Sequence, residues 1–184
     1  MQPLRASLHP FCPQPELDRF RLSAAARWHG GVLQLDFELS GPLAELVISP
    51  QGPSPRRLDG LWQSTCFEAF VAHPDAAGYW EINMAPSGDW NVYALSGYRQ
   101  GLRPEPLLEI LPVQISRQRC GIAGNELLRL RLQLDLTALL DPAQPLEASA
   151  TAVLERHGQG CSYWAWRHGA AEPDFHCRAS FLKL

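Results

Sequence analysis

The sequence predicts an all-β fold, its strands antiparallel and arranged as a two-sheet sandwich or a closed barrel. Three observations carry this expectation. Apolar and polar residues alternate with a period of two along several segments. Glycine, proline and aspartate clusters punctuate these segments at short intervals. Helical patterning is confined to one turn near Pro15 to Phe20 and another at Leu136 to Leu140. The clearest strand is Leu33 to Leu39, where every odd position is apolar and every even one polar, as one buried and one solvated face require.

In chain order, residues 1 to 30 read as an N-terminal extension and first strand. Strands follow at Leu33 to Leu39, Leu43 to Ser49, Thr65 to Ala72, Tyr79 to Ala85, Trp90 to Leu95 and Leu107 to Arg117. Leu128 to Leu136 repeats the alternation, with Leu128, Leu130, Leu132 and Leu134 inward and Arg129, Arg131 and Gln133 outward. The remaining strands are Leu146 to Glu155, Cys161 to Trp166 and Phe175 to Leu182. Turns are expected between them, among others at Pro86 to Asp89, Gly121 to Asn125 and Gly158 to Gly160. The 184 residues read as a single domain, long enough to bury about 70% of the unfolded chain's surface.

Charge limits the partners. The chain carries 19 acidic and 16 basic groups, a net charge of -3, and the arginines are scattered from Arg5 to Arg178 without a run. A nucleic-acid backbone or an anionic membrane needs a basic stripe, so neither is expected as a partner. The N-terminal residues show no apolar h-region, and nowhere do 18 apolar residues run together, which reads as soluble and cytoplasmic. The five cysteines are odd in number and never reach CxxC spacing, so reduced thiols are expected and no metal site.

The segment from Leu61 to Arg99 is the most informative, with three of the six tryptophans and a concentration of acids and amides on strand positions. If the residues His73 to Gly78 join two antiparallel strands, Glu68 lies opposite Asn83 and Phe70 opposite Glu81. Ile82, Met84, Trp90 and Val92 then face the core. The other face gathers Glu68, Tyr79, Glu81, Asn83, Asn91 and Tyr93. A carboxylate within TCFEAFVA must be paired or functional, and Arg99 is the expected partner of Glu68. Trp80 and Trp90 read as core. Trp164 and Trp166 share a face with Ser162, so both point inward or both outward, while Trp62 follows a Pro/Gly loop and reads as a surface ring. Near the C-terminus His168, Asp174 and His176 fall within nine positions, a group of types that can bind a metal or act as acid and base, although no metal is assigned to it.

The blocks LWQSTCFEAFV, YWEINMAPSGDWNVYAL, GYR and SYWAWRHGAAEPDFHCRASF resemble a DOMON-like domain of the type related to family 9 carbohydrate-binding modules, from about Leu33 to the end. The resemblance implies an antiparallel β-sandwich of about ten strands with little helix. It also implies a sugar or haem as ligand. Haem-binding relatives use a methionine and a histidine, and Met84, the one internal methionine, is turned to the core by the register above.

The function expected is therefore a non-catalytic binding module for a saccharide or similar small polar ligand. Glu68, Glu81, Asn83 and Tyr93 would supply hydrogen bonds, with Arg99 beside them and His168, Asp174 and His176 from the C-terminal group. Trp62 or Trp164 would stack on the sugar ring. The alternatives are a haem-binding redox or sensor domain and a protein-protein interaction domain, including self-association. No GxSxG, HExxH or P-loop motif occurs, so no catalytic residue is assigned; a hydrolase using Glu68 and Glu81 is the lesser reading.

Overall fold

The structure is a computed structural model describing residues 2–120 and 124–184. Its strands are β1 Leu4–Ser7, β2 His9–Pro10, β3 Arg21–His29, β4 Val32–Gly41, β5 Cys66–Ala72, β6 Tyr79–Met84 and β7 Trp90–Leu95. They continue with β8 Arg103–Pro104, β9 Val113–Arg119, β10 Glu126–Asp135, β11 Glu147–Arg156, β12 Gly160–Ala165 and β13 Leu182–Lys183. One sheet has the order β1-β3-β4-β10-β9. The other runs β2-β12-β11-β5-β6-β7-β8, with β13 pairing β11 beside that path. Ladders between these strands are antiparallel. Helix is limited to short 3-10 turns, and among the described residues no helix is long and apolar enough to cross a membrane.

The expected antiparallel β-sandwich is what forms, and period-two patterning explains why. Leu33, Leu35, Phe37 and Leu39 of β4 and Leu128, Leu130, Leu132 and Leu134 of β10 point into one core cluster. From the other sheet come Phe67, Ala69 and Val71 of β5, Ile82 and Met84 of β6, and Ala148, Ala150, Ala152 and Leu154 of β11. Leucines on one layer thus meet alanines on the other, which lets the inner faces interdigitate. Phe37 and Phe67 join the sheets edge to face, their ring centroids 5.5 Å apart. Trp90, Trp164 and Trp166 belong to the same core, and Trp80 packs against it.

The register expected between the central strands is observed: Glu68 pairs with Asn83, Phe70 with Glu81, and Glu81 in turn with Tyr93. Four other expectations need correction. Leu43 to Ser49 is not a strand; Leu43–Glu45 is a 3-10 turn followed by an isolated bridge at Leu46. Leu43 and Leu46 are both buried, a spacing of three that a turn satisfies and an alternating strand does not. Leu107 to Arg117 begins its strand only at Val113, because Leu108 and Leu111 plug the core at the same spacing while Leu107 and Ile110 stay exposed. Phe175 to Leu182 yields only the two-residue β13, for reasons that belong to the site below. Residues 1 to 30 supply three paired strands rather than an extension and one strand. The turn expected at Gly121 to Asn125 lies partly outside the described residues.

Because Phe37 is the main aromatic bridge between the sheets, Phe37→Ala should cost about 3–5 kcal/mol in urea unfolding. A loss below about 1 kcal/mol would mean that the sheets do not depend on this contact.

Candidate functional site

Alternation that sends Phe67, Ala69 and Val71 inward sends Cys66, Glu68, Phe70 and Ala72 to the opposite face of β5. Glu81 and Asn83 of β6 and Thr151 of β11 lie on the same face, Thr151 directly opposite Glu68. An outer face ordinarily meets water. Here it is covered, and Glu68, Glu81 and Asn83 retain 2%, 4% and 0% of their exposure.

The cover is the C-terminal segment. Phe175 and Phe181 pack with Phe70, Ala72, Tyr79, Tyr93 and Leu95 in a second apolar cluster outside the sandwich. Arg178 ties the segment down by donating to the carbonyls of His73 and Pro74 and to Glu147 Oε2, with its guanidinium over the Phe181 ring. The aromatic residues that resemble a strand in sequence are anchors for a lid packed across strands, which is why they form no ladder of their own.

A cleft of about 300 Å³ remains between this cover and the sheet, at the small end of ligand sites, which span about 300–1,000 Å³. Glu68, Phe70, Glu81 and Val153 line its sheet side; Trp62, Arg99, Leu102, Tyr163, Pro173, Phe175 and His176 form its walls and rim. Trp62 and Tyr163 are 37% and 39% exposed, so ring surface is presented at the mouth. Trp62 sits on a 3-10 turn, Leu61–Gln63, entered through Gly60 at φ 73°, a left-handed conformation glycine adopts without a Cβ clash. Its ring meets Tyr93 edge to face at 5.7 Å.

Hydrogen bonding at the sheet side is incomplete. Asn83 Nδ2 donates to Glu81 Oε1 at 2.8 Å, and Thr151 Oγ1 donates to Glu68 Oε2 at a long 3.4 Å. Glu68 Oε1, Glu81 Oε2, Asn83 Oδ1 and Ser149 Oγ are buried without a hydrogen-bond partner among the described residues. Native proteins leave few buried polar atoms in this condition. Burial, reinforced by the neighbouring Glu81 charge, pushes the Glu68 carboxyl well above the usual carboxylate range. Burial raises Glu81 too, against the pull of Asn83 and Arg99.

The rim is held by a relay of hydrogen bonds. Arg99 adopts φ 53°, a conformation costly for a residue with a Cβ. Its backbone N–H donates to Tyr79 Oη at 3.1 Å, and its guanidinium pairs with Asp174 at 3.0 Å. The Tyr79 hydroxyl, whose oxygen accepts from Arg99, also hydrogen-bonds His176 Nδ1 at 2.8 Å, which leaves Nε2 as the ring nitrogen turned to the cleft. That Nε2 faces Glu81 Oε2 at 3.9 Å, beyond direct hydrogen bonding. Burial and the Arg99 charge, opposed by Asp174, bring His176 down to about 4, so its ring is neutral near pH 7. Asp174 also accepts from Tyr98 Oη and from the His176 backbone N–H. Although partial burial works the other way, the bonds from Tyr98 and Arg99 hold it below its usual range.

Of the residues expected at a site, Trp62, Glu68, Glu81, Arg99 and His176 meet at the cleft. Asn83 and Asp174 stand behind it. Tyr93 serves another purpose: its hydroxyl donates to Asp59 Oδ1 at 2.8 Å, as does Asn91 Nδ2 at 2.9 Å. Arg57 bonds Asn91 Oδ1 and the carbonyls of Val92, Glu105 and Leu108, so the β7 part of the face is a satisfied structural network. Trp164 is corrected from a stacking residue to a core one, buried with its Nε1 on Ser162 Oγ. His168 lies away from the cleft, its Nε2 on the His9 carbonyl and its ring against Phe11. Glu68 does not pair with Arg99, which Asp174 holds instead. Met84 is in the core, as its register requires. Sequence reasoning missed Tyr163, although the alternation that turns Trp164 inward turns Tyr163 outward. It also missed Phe175 and Thr151.

Among the described residues, no group of three His, Cys, Asp or Glu converges as metal ligands would. A larger groove of about 500 Å³ runs past Ser7, His9, Asp18, Arg21, Glu38 and Trp164; none of its buried polar side-chain atoms lacks a partner. One linkage follows from the buried dyad. Glu68 binds its proton more tightly folded than unfolded, so the stability tied to it is complete below the unfolded value of about 4.3 and is lost as pH rises through the folded value. Glu68→Gln should therefore flatten the pH dependence of unfolding free energy above pH 5 and stabilise the protein at pH 8, each unit of pKa displacement being worth about 1.4 kcal/mol. Parallel stability curves for the two proteins from pH 5 to 8 would refute the buried, proton-holding carboxyl.

No family model and no curated protein matches the sequence. Solved structures do. A proposed carbohydrate-binding protein from Bacteroides uniformis superposes with a TM-score of 0.65 at 14% identity, over 98% of this chain and 85% of that one. A family 9 carbohydrate-binding module from Caldicellulosiruptor kristjanssonii in complex with glucose gives 0.46 at 11% identity, over 95% and 78% of the two chains. The same module family with cellotriose gives 0.45 at 11%, over 92% and 75%. The first of these likenesses establishes the fold, the antiparallel β-sandwich that the resemblance to family 9 modules implied.

Proposed function

We propose that this chain is a non-catalytic binding domain for a saccharide or a similar small polyhydroxylated ligand, seated in the cleft between Glu68 and Glu81 and the rings of Trp62 and Tyr163. The observation that carries the reading is the pair of buried carboxyl oxygens, Glu68 Oε1 and Glu81 Oε2, left without partners on the wall of an open cleft. Their unmet hydrogen bonding costs free energy that a ligand's hydroxyls would offset. Trp62 and Tyr163 give such a ligand apolar ring surface at the mouth, the other half of what a pyranose presents. His176 Nε2 adds a polar ring nitrogen on the side facing Glu81.

Binding rather than hydrolysis is favoured by where the carboxyls stand. Glycosidases place two carboxyl groups on opposite sides of the scissile bond. Glu68 and Glu81 project from neighbouring strands on one side of the cleft. The B. uniformis protein of the same fold is itself proposed to bind carbohydrate, which is consistent with this reading. The five cysteines are unpaired, which supports a reducing compartment.

A panel of mono- and disaccharides titrated against the protein should yield at least one ligand with a Kd below about 1 mM, or about -4 kcal/mol, accompanied by a change in tryptophan fluorescence. Trp62→Ala should weaken that ligand about tenfold, or about 1.4 kcal/mol, while the protein still unfolds cooperatively in urea with a midpoint lowered only by the lost contact with Tyr93. A panel without any binder at that level, or a Trp62→Ala protein that binds as the parent does, counts against the cleft as a sugar site.

A further inference from the structure

Three of the four orphaned atoms on this face, all but the Ser149 hydroxyl, share a chemistry that narrows the ligand further. Glu68 Oε1 and Glu81 Oε2 line it, and Asn83 Oδ1 stands on the same face, directly across the ladder from Glu68 and bonded through its amide nitrogen to Glu81. All three are oxygens that accept. A hydroxyl supplies one donor and demands acceptors and donors of its own, whereas a protonated primary amine supplies three donors, no acceptor and a positive charge. Burial and the Glu81 charge on the adjacent strand oppose ionisation of Glu68 in the empty cleft, and a cation between the two carboxyls favours the charged form of both.

The rest of the cleft suits a cation as well. Trp62, Phe70, Tyr163 and Phe175 line it, and aromatic faces attract ammonium groups. The competing positive charge, Arg99, is engaged by Asp174 on the rim and is half exposed to solvent. His176 offers only a neutral ring near pH 7, held by Tyr79. Of the other ionisable groups on this face, Tyr79, Tyr93 and Cys66 are neutral there too, since burial raises each above its ordinary value, and Glu147 is paired with Arg178.

We infer that the cleft selects a ligand bearing a protonated primary amine, which Glu68 Oε1 and Glu81 Oε2 receive beneath the rings of Trp62 and Tyr163; resting on the saccharide reading, this makes the ligand an amino sugar. The amine sits between the two carboxyls, and the sugar ring extends toward the aromatic mouth.

The test is calorimetric titration of the intact protein with D-glucosamine, D-glucose, N-acetyl-D-glucosamine and cyclohexylamine, at about pH 6.5, where an amine beside electron-withdrawing groups (about 8) and a simple alkylamine (about 10.4) are both protonated. Glucosamine should bind at least ten times more tightly than glucose or the acetylated sugar, in which the charge is gone. Glu68→Gln and Glu81→Gln should each shrink that preference to threefold or less. Glucose or N-acetylglucosamine binding as tightly as glucosamine would overturn the inference and leave the saccharide reading in place. Cyclohexylamine binding with glucosamine no tighter would uphold the amine site and overturn the saccharide reading. Failure of all four ligands would overturn both. The comparison among ligands on the parent protein decides the matter even if neither variant folds.

Discussion

Two carboxyl groups held out of water on the outer face of a sheet are the constraint around which the second half of this structure is arranged. Glu68 and Glu81 each keep one oxygen without a partner, and an unmet acceptor of this kind costs about 1–3 kcal/mol. A sandwich of this composition has no need of them there. The inner face of the same strands already supplies the core, and leucine or valine at either position would pack against Phe70 and Val153 without a desolvation cost. Acids retained at such a place reduce stability, and stability is what binding sites characteristically give up.

The cover over these acids is built to stay open on one side. Phe175 and Phe181 bury their rings on the outer cluster, and Arg178 fastens the segment to the β5–β6 connection. Further along, Asp174 receives Arg99, Tyr98 and the His176 backbone, so the rim is held by charge-assisted hydrogen bonds. Tyr79 links the two halves of this arrangement, accepting from the Arg99 backbone and hydrogen-bonded to His176. The strained Arg99 backbone is maintained by these contacts, an instance of strain located where a structure is specialised. Lid and rim thus leave the cleft bounded by rings and a neutral imidazole, with the acids at its base.

Much of this was legible in the residues. Taking His73 to Gly78 as the connection was enough to pair Glu68 with Asn83 and Glu81 with Phe70, and the period of two then separated Met84 and Trp90 from Glu81 and Tyr93, because the loop fixes the register and alternation fixes the face. Alternation fails where side chains reach the core at a spacing of three, as at Leu43 with Leu46 and Leu108 with Leu111. It is also silent about what lies over an outer face. Phe175 to Leu182 has strand composition, yet its rings cap other strands, and no local pattern distinguishes the two uses. The same blindness assigned Tyr93 to a ligand when Asp59, from a loop of no periodicity, already receives its hydroxyl. Trp164 and Tyr163 were exchangeable in sequence until the facing of β12 was known.

The account rests on the claim that ligands enter at Glu68 and Glu81 rather than elsewhere on the sandwich. Co-crystallisation with a saccharide at high concentration tests it directly, since position alone gives the answer. The account predicts sugar density in the cleft, with polar atoms within hydrogen-bonding reach of Glu68 Oε1 and Glu81 Oε2 and a ring against Trp62 or Tyr163. Density in the groove past Ser7, Asp18 and Arg21, with the cleft closed by its own side chains, would contradict it.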